Sequence, residues 1–173
     1  MKSIITNPSM RILKIASCPT CTAKTTVTYH IGCTSDQQVR FKVVANSGGG
    51  LFSAEWIALS AIKEAFDTSP RVITSFTMMK LFKGKSINTP GFLMAALKHE
   101  GLVKNLEGKQ RGYEQLDHAT FLSSINELIA SDINLGDQAP TSISKPKAPI
   151  KTKKSSAAMH ASIDFPIVTE QAT

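Results

Sequence analysis

The chain has 173 residues, with 42% hydrophobic and 19% charged residues and a formal net charge of +7 at pH 7. This size suits one medium domain or two small ones and excludes a large multidomain enzyme. The sequence has no run of about 18 apolar residues, so we expect no transmembrane helix and no membrane partner. Polar residues interrupt the first 17 positions, which predicts no signal peptide and a cytoplasmic location, at the nucleoid if the host is bacterial.

Residues 1–50 predict a small antiparallel β module. Val39, Phe41 and Val43 alternate with more polar positions, as expected of a strand with one buried face. The ranges 25–31 and 10–16 show weaker versions of the same period, and the turn at 34–36 favours a hairpin. The segment carries six basic residues and one acid, so it holds much of the positive charge.

Three cysteines and one histidine of this β module could bind a metal. Cys18 and Cys21 form a C-x2-C pair at a predicted turn, and His30 and Cys33 form an H-x2-C pair around the turn after the next strand. Zinc prefers four sulfur or nitrogen ligands in a tetrahedron. The pattern resembles a short zinc ribbon and predicts one structural zinc ion.

Two other interpretations of these residues stay open. Cys33 could be an ordinary half-buried cysteine and His30 a solvated strand residue, which would leave Cys18 and Cys21 as a simple thiol pair. A redox role for that pair is less favoured, because the pair does not open a helix where a thiolate would be stabilised.

Residues 51–132 have a helical period. A first helix is predicted after Ser53 as N-cap, a second from Ser75 to Phe82, and a third after Asn88 or Thr89, with Pro90 in its first turn and Gly101 at its end. Another amphipathic helix is predicted near 121–130.

Two short strands flank a basic loop between Gly101 and Leu116, with Gly108 and Gly112 bracketing Lys109 to Arg111. Helix, helix, turn, helix and basic hairpin is the element order of a winged helix-turn-helix, and residues 52–117 resemble that superfamily. The resemblance implies an α+β fold: an N-terminal antiparallel β module, the candidate zinc ribbon, joined to a winged helix-turn-helix.

The resemblance implies double-stranded DNA as the partner and a regulatory role, such as transcription regulation, or an architectural one. Helix three would enter the major groove, with Gly91, Met94, Ala95 and Lys98 outward and few groups able to read bases. The contacts would therefore be mainly to phosphates. The candidate DNA-binding residues are Lys83, Lys85, Thr89, Lys98, Lys104, Lys109 and Arg111.

A rival hypothesis is a protein-interaction subunit of a nucleoprotein assembly, which binds other proteins or a second copy through the winged helix and the helix near 121–130. No nucleophile elbow or acid–base pair predicts catalysis, so we expect a non-enzyme. Residues 133–173 are rich in Lys, Pro, Ser and Thr, and predict a flexible lysine-rich tail.

Overall fold

The computed structural model describes residues 10–69, 72–83 and 86–136, and the predicted mixed α+β class is confirmed. One antiparallel sheet has the strand order β1-β2-β3-β4. Its strands are β1 (Arg11–Pro19), β2 (Thr26–Cys33), β3 (Val39–Asn46) and β4 (Ile57–Ala58). The remaining elements are α1 (Leu59–Asp67), a 3-10 helix (Ser75–Leu81), α2 (Thr89–His99), the hairpin of β5 (Val103–Asn105) and β6 (Tyr113–Gln115), and α3 (Ala119–Ala130).

The sheet buries the face that its period-two pattern predicts. Tyr29 and Ile31 of β2 and Phe41 of β3 are fully buried. The Tyr29 ring stacks on Phe41 with centroids 6.4 Å apart, and Phe41 stacks on Phe121 of α3 at 5.9 Å. These aromatic contacts join the sheet to the last helix.

The helix α2, the third of the predicted helices, is buried along most of its length. Thr89, Pro90 and all residues from Leu93 to Leu97 are buried, whereas Lys98 and His99 are exposed. The prediction that Met94 and Ala95 face outward is therefore wrong. The β sheet packs on this helix, so the side that would enter a major groove faces the chain's own core.

Two predicted helices differ in detail from the structure. The first helix begins at Leu59 rather than after Ser53, because Ile57 and Ala58 pair with β3. The second is a 3-10 helix. The third begins after Asn88 and stops at Gly101 (φ +73°), and both predicted bounds are confirmed.

Core residues come from both sides of the predicted boundary at residue 50. Phe41 and Ile31 precede the boundary and Leu93 and Leu97 follow it, and all four belong to one hydrophobic cluster. The glycine-rich segment 48–50 lies in the link between β3 and β4, with Gly49 at φ +69°.

The β5–β6 hairpin gains a third extended segment from an earlier part of the chain. Ile73 forms an antiparallel bridge with Tyr113, whose N–H donates to the Ile73 carbonyl at 2.8 Å. Ile73, shortly before the 3-10 helix, therefore lies beside β6.

Residues after α3 return to the outer edge of β1. The N–H of Leu135 donates to the Ile12 carbonyl at 2.9 Å, and the Ile12 N–H donates to the side-chain oxygen of Asn134 at 3.2 Å. Arg11 also pairs with Asp132 at 2.8 Å and donates to the Ile129 carbonyl at 2.7 Å. The predicted tail beyond residue 136 lies outside the described residues. No helix in the described ranges is long and apolar enough to cross a membrane.

We expect Leu97→Ala to lower the free energy of unfolding by about 2–5 kcal/mol, because the fully buried side chain would leave a cavity between α2 and its neighbours. Lys98→Ala on the exposed side is the control and should change it by at most about 0.5 kcal/mol. Urea unfolding measures both. Equal effects would contradict the buried position of α2.

Candidate functional site

Basic side chains surround the β5–β6 hairpin. Lys104, Lys109 and Arg111 are exposed on the hairpin, and Lys98 is exposed in the last turn of the preceding helix. Lys104 pairs with Glu114 across the two strands at 2.8 Å, so its charge is partly compensated. Lys109 and Arg111 at the tip are therefore the principal cations of the hairpin.

The hairpin tip is a tight turn. Gly108 has φ +71°, the left-handed region that glycine adopts at no steric cost. The Lys109 N–H donates to the Leu106 carbonyl at 3.0 Å, and the Leu106 N–H donates to the Gly112 carbonyl at 2.9 Å. These bonds hold the backbone while the two cationic side chains extend into solvent.

The other predicted DNA-binding residues are not all accessible. Lys83 is exposed after the 3-10 helix, and its N–H donates to a Glu55 carboxylate oxygen at 3.2 Å. Thr89 is fully buried, and its hydroxyl accepts the Ser53 N–H at 2.9 Å. In this conformation Thr89 is a structural residue that fixes the start of α2. Lys85 lies outside the described residues.

The four predicted zinc ligands lie on the β1–β2 hairpin. Cys18 is in β1, Cys21 is in the turn, and His30 and Cys33 are in β2 rather than in a turn after it. Cys18 and Cys33 are buried, as is His30, whereas Cys21 is exposed.

The strand register separates Cys33 from the first cysteine pair. Cys18 pairs with Val27, and Cys33 pairs with Arg11 at the other end of the two strands. Six residues of extended strand correspond to about 20 Å. In this conformation the four residues do not converge, and no group of three His, Cys, Asp or Glu side chains in the described ranges could hold a metal ion. The zinc site stays a prediction.

Burial makes Cys18 a poor nucleophile. It raises the pKa of the Cys18 thiol to about 11, with smaller contributions from Cys21 and Glu100. At neutral pH the thiol is protonated, and the thiolate is the reactive form. The Cys21 sulfur lies 3.8 Å from the Gly91 carbonyl of α2.

A polar cluster that the sequence analysis missed joins the sheet to the end of α2. The Glu100 side chain is 6% exposed, and one carboxylate oxygen accepts from Lys14 of β1 at 2.8 Å. The other accepts the Tyr29 hydroxyl of β2, and the same hydroxyl lies 2.7 Å from His99 Nδ1. Because the single tyrosine proton goes to Glu100, the Nδ1–H tautomer of His99 is the one that would donate to the tyrosine oxygen.

Burial, followed by the hydrogen bond to Glu100, raises the pKa of Tyr29, so its proton stays in place at neutral pH. Glu100 follows Tyr29 by 71 residues and Lys14 by 86 residues in the chain. The signal in the sequence is the polar run Lys98, His99 and Glu100, which follows the apolar residues Leu93 to Leu97 of α2.

A cleft of about 540 Å³ lies beside this polar cluster. Lys14 and Glu100 form one wall, and Phe121, Ile125 and Leu128 of α3 form an apolar wall opposite. Asp117, Thr120 and Ser124 add polar groups. Its volume is in the range of small-ligand sites.

No protein-family model, curated protein or solved structure matches this chain.

We expect Cys21 to react with a thiol reagent in the native protein within the mixing time, and Cys18 and Cys33 to react only on unfolding, because both are buried. Absorbance of the released thiolate counts the fast and slow groups, and Cys21→Ser should abolish the fast phase.

Metal analysis of protein purified without chelator tests zinc in parallel. One bound zinc with three protected thiols would support the ribbon and contradict this conformation.

We expect Tyr29→Phe to lower the free energy of unfolding by about 1–3 kcal/mol, because the buried Glu100 carboxylate would lose a hydrogen-bond donor. Ser17→Ala is a matched control, since it also removes a hydroxyl from the sheet, but an exposed one bonded to Thr28. Its effect should stay within about 0.5 kcal/mol. Thermal or urea unfolding that fails to separate the two variants would contradict a stabilising role for the cluster.

Proposed function

We propose that the chain is a non-catalytic, double-stranded-DNA-binding protein that contacts phosphates through the β5–β6 hairpin, in a regulatory or architectural role. The observation that carries the proposal is the exposure of Lys98, Lys104, Lys109 and Arg111 on and beside one tight hairpin. Exposed cations held on a rigid turn suit a polyanionic backbone.

The order of elements supports a winged-helix arrangement. The 3-10 helix and α2 precede the hairpin, and the Ile73–Tyr113 bridge adds an extended segment beside β6. A basic hairpin after the third helix is the feature on which the resemblance to winged helix-turn-helix proteins depends.

The burial of α2 changes the mechanism that the sequence alone favours. Met94 and Ala95 are buried in the hydrophobic core, so in this conformation they cannot reach base edges in the major groove. We infer that the hairpin tip, with Lys109 and Arg111, makes the main contacts and that sequence readout is weak.

Exposed apolar residues favour a second candidate function, protein interaction within a nucleoprotein assembly. Leu51, Phe76 and Ile87 are 82%, 73% and 73% exposed. Large apolar side chains in solvent are common features of protein-binding surfaces when they cluster. The partner would be another protein or a second copy of the chain. Leu122 and Leu128 of α3, which are only partly buried against the core, would add to such a surface.

We expect the double substitution Lys109→Ala with Arg111→Ala to weaken binding to duplex DNA of any sequence. It should also lower the slope of log affinity against log salt by about one to two units, because binding with fewer phosphate contacts releases fewer counterions. Thermal unfolding should be nearly unchanged, since both side chains are exposed. Fluorescence anisotropy over a salt series measures both the affinity and its slope.

Lys24→Ala with Lys80→Ala is the matched control, because it removes the same charge from exposed positions outside the hairpin. This control should keep the wild-type salt slope. Equal losses in the two double variants would mean that net charge alone drives binding. Absence of binding by the wild-type chain would favour the protein-interaction function.

A further inference from the structure

His118 lies at the start of α3 and has no role in the proposed DNA contact. It is the N-cap residue, and its carbonyl accepts the Leu122 N–H of the first turn at 2.9 Å. Its side chain is buried, with 6% exposure, and Nε2 has no hydrogen-bond partner in the described ranges. Burying a neutral imidazole in this position costs little free energy, whereas burying a charged one costs much more.

The charged groups around His118 come from α1 and from the residue just before His118 in the chain. Lys63 of α1 disfavours a positive imidazole, while Asp67 at the end of α1 and the adjacent Asp117 favour it. A hydrogen bond to the backbone of Leu102, just before β5, also favours the charged form. Burial comes first among the causes and Lys63 second, so the pKa of His118 lies below its ordinary value of 6.5.

The helix itself adds to this effect. The N-terminus of a helix carries a partial positive charge, which disfavours a cation at the N-cap. A second proton on His118 would therefore add charge at a buried site, beside a lysine and at the positive end of α3.

We propose that protonation of His118 releases the N-terminal half of α3 at mildly acidic pH and opens the cleft beside Glu100. The C-terminal end of α3 stays attached, because Arg11 of β1 holds the Ile129 carbonyl and Asp132. The helix thus has one end that responds to pH and one anchored end. Phe121, which stacks on Phe41, lies next to the responsive end.

The direction of the pH dependence follows from the lowered pKa. The unfolded or released state binds a proton at about pH 6.5, whereas the packed state binds it only at lower pH. The stability that His118 contributes is therefore complete above pH 6.5, and it is lost as the pH falls from 6.5 toward the folded pKa.

Hydrogen exchange of the full chain between pH 8 and pH 5.5, with intrinsic rates corrected at each pH, tests the proposal. The opening constant of amides in the first two turns of α3 should rise up to tenfold per pH unit below 6.5. Amides near Ile129 should respond less. In His118→Gln the constant should be independent of pH, and Ser123→Ala, at an exposed position of α3, should keep the wild-type pH dependence.

A second variant keeps the test decisive if His118→Gln folds poorly. Lys63→Met removes the cation that disfavours protonation, so the folded pKa should move toward 6.5 and the acid response should shrink. A flat wild-type profile, or an undiminished response in either variant, would overturn the proposal.

Discussion

The burial of α2 is the constraint on which the rest of the structure depends. Residues Leu93 to Leu97 are all buried, so this helix needs neighbours on every side, and it finds them in the sheet, the 3-10 helix and β5. Its polar end needs partners as well. Glu100 obtains them from Lys14 and Tyr29, which fixes the end of the helix against β1 and β2.

The same constraint limits how the chain can meet a partner. A helix whose apolar residues are already covered has only its ends free, and the exposed cations lie where the chain leaves α2 and forms the next hairpin. Backbone hydrogen bonds hold that hairpin at Leu106 and Lys109. Binding would thus use a hairpin whose exposed side chains can be replaced without disturbing the core. Folding and binding would then depend on different residues.

Local patterns predicted most of the elements. The alternation of Val39, Phe41 and Val43 identified β3, and Pro90 with Gly101 identified the bounds of α2. These signals succeed because turn and capping chemistry acts over a few residues. The two-residue strand β4 was not predicted, since only its pairing with β3 makes it extended.

The candidate site was less predictable, because its features depend on contacts between distant residues. The helical period alone could not show that Met94 is buried in the core. The sequence also does not reveal the strand register that separates Cys18 from Cys33. The Lys14–Glu100 pair joins residues 86 positions apart. Exposure of Lys109 and Arg111, by contrast, was predictable from the flanking glycines and the local turn.

The return of the chain to β1 has a consequence for solution behaviour. β1 is an edge strand of nine residues, and an uncovered edge of that length offers backbone groups to any other strand. Asn134 and Leu135 occupy those groups at Ile12. These residues block strand-to-strand pairing at Ile12, and a fragment that ended at residue 132 would expose that backbone while keeping the helices of the described ranges.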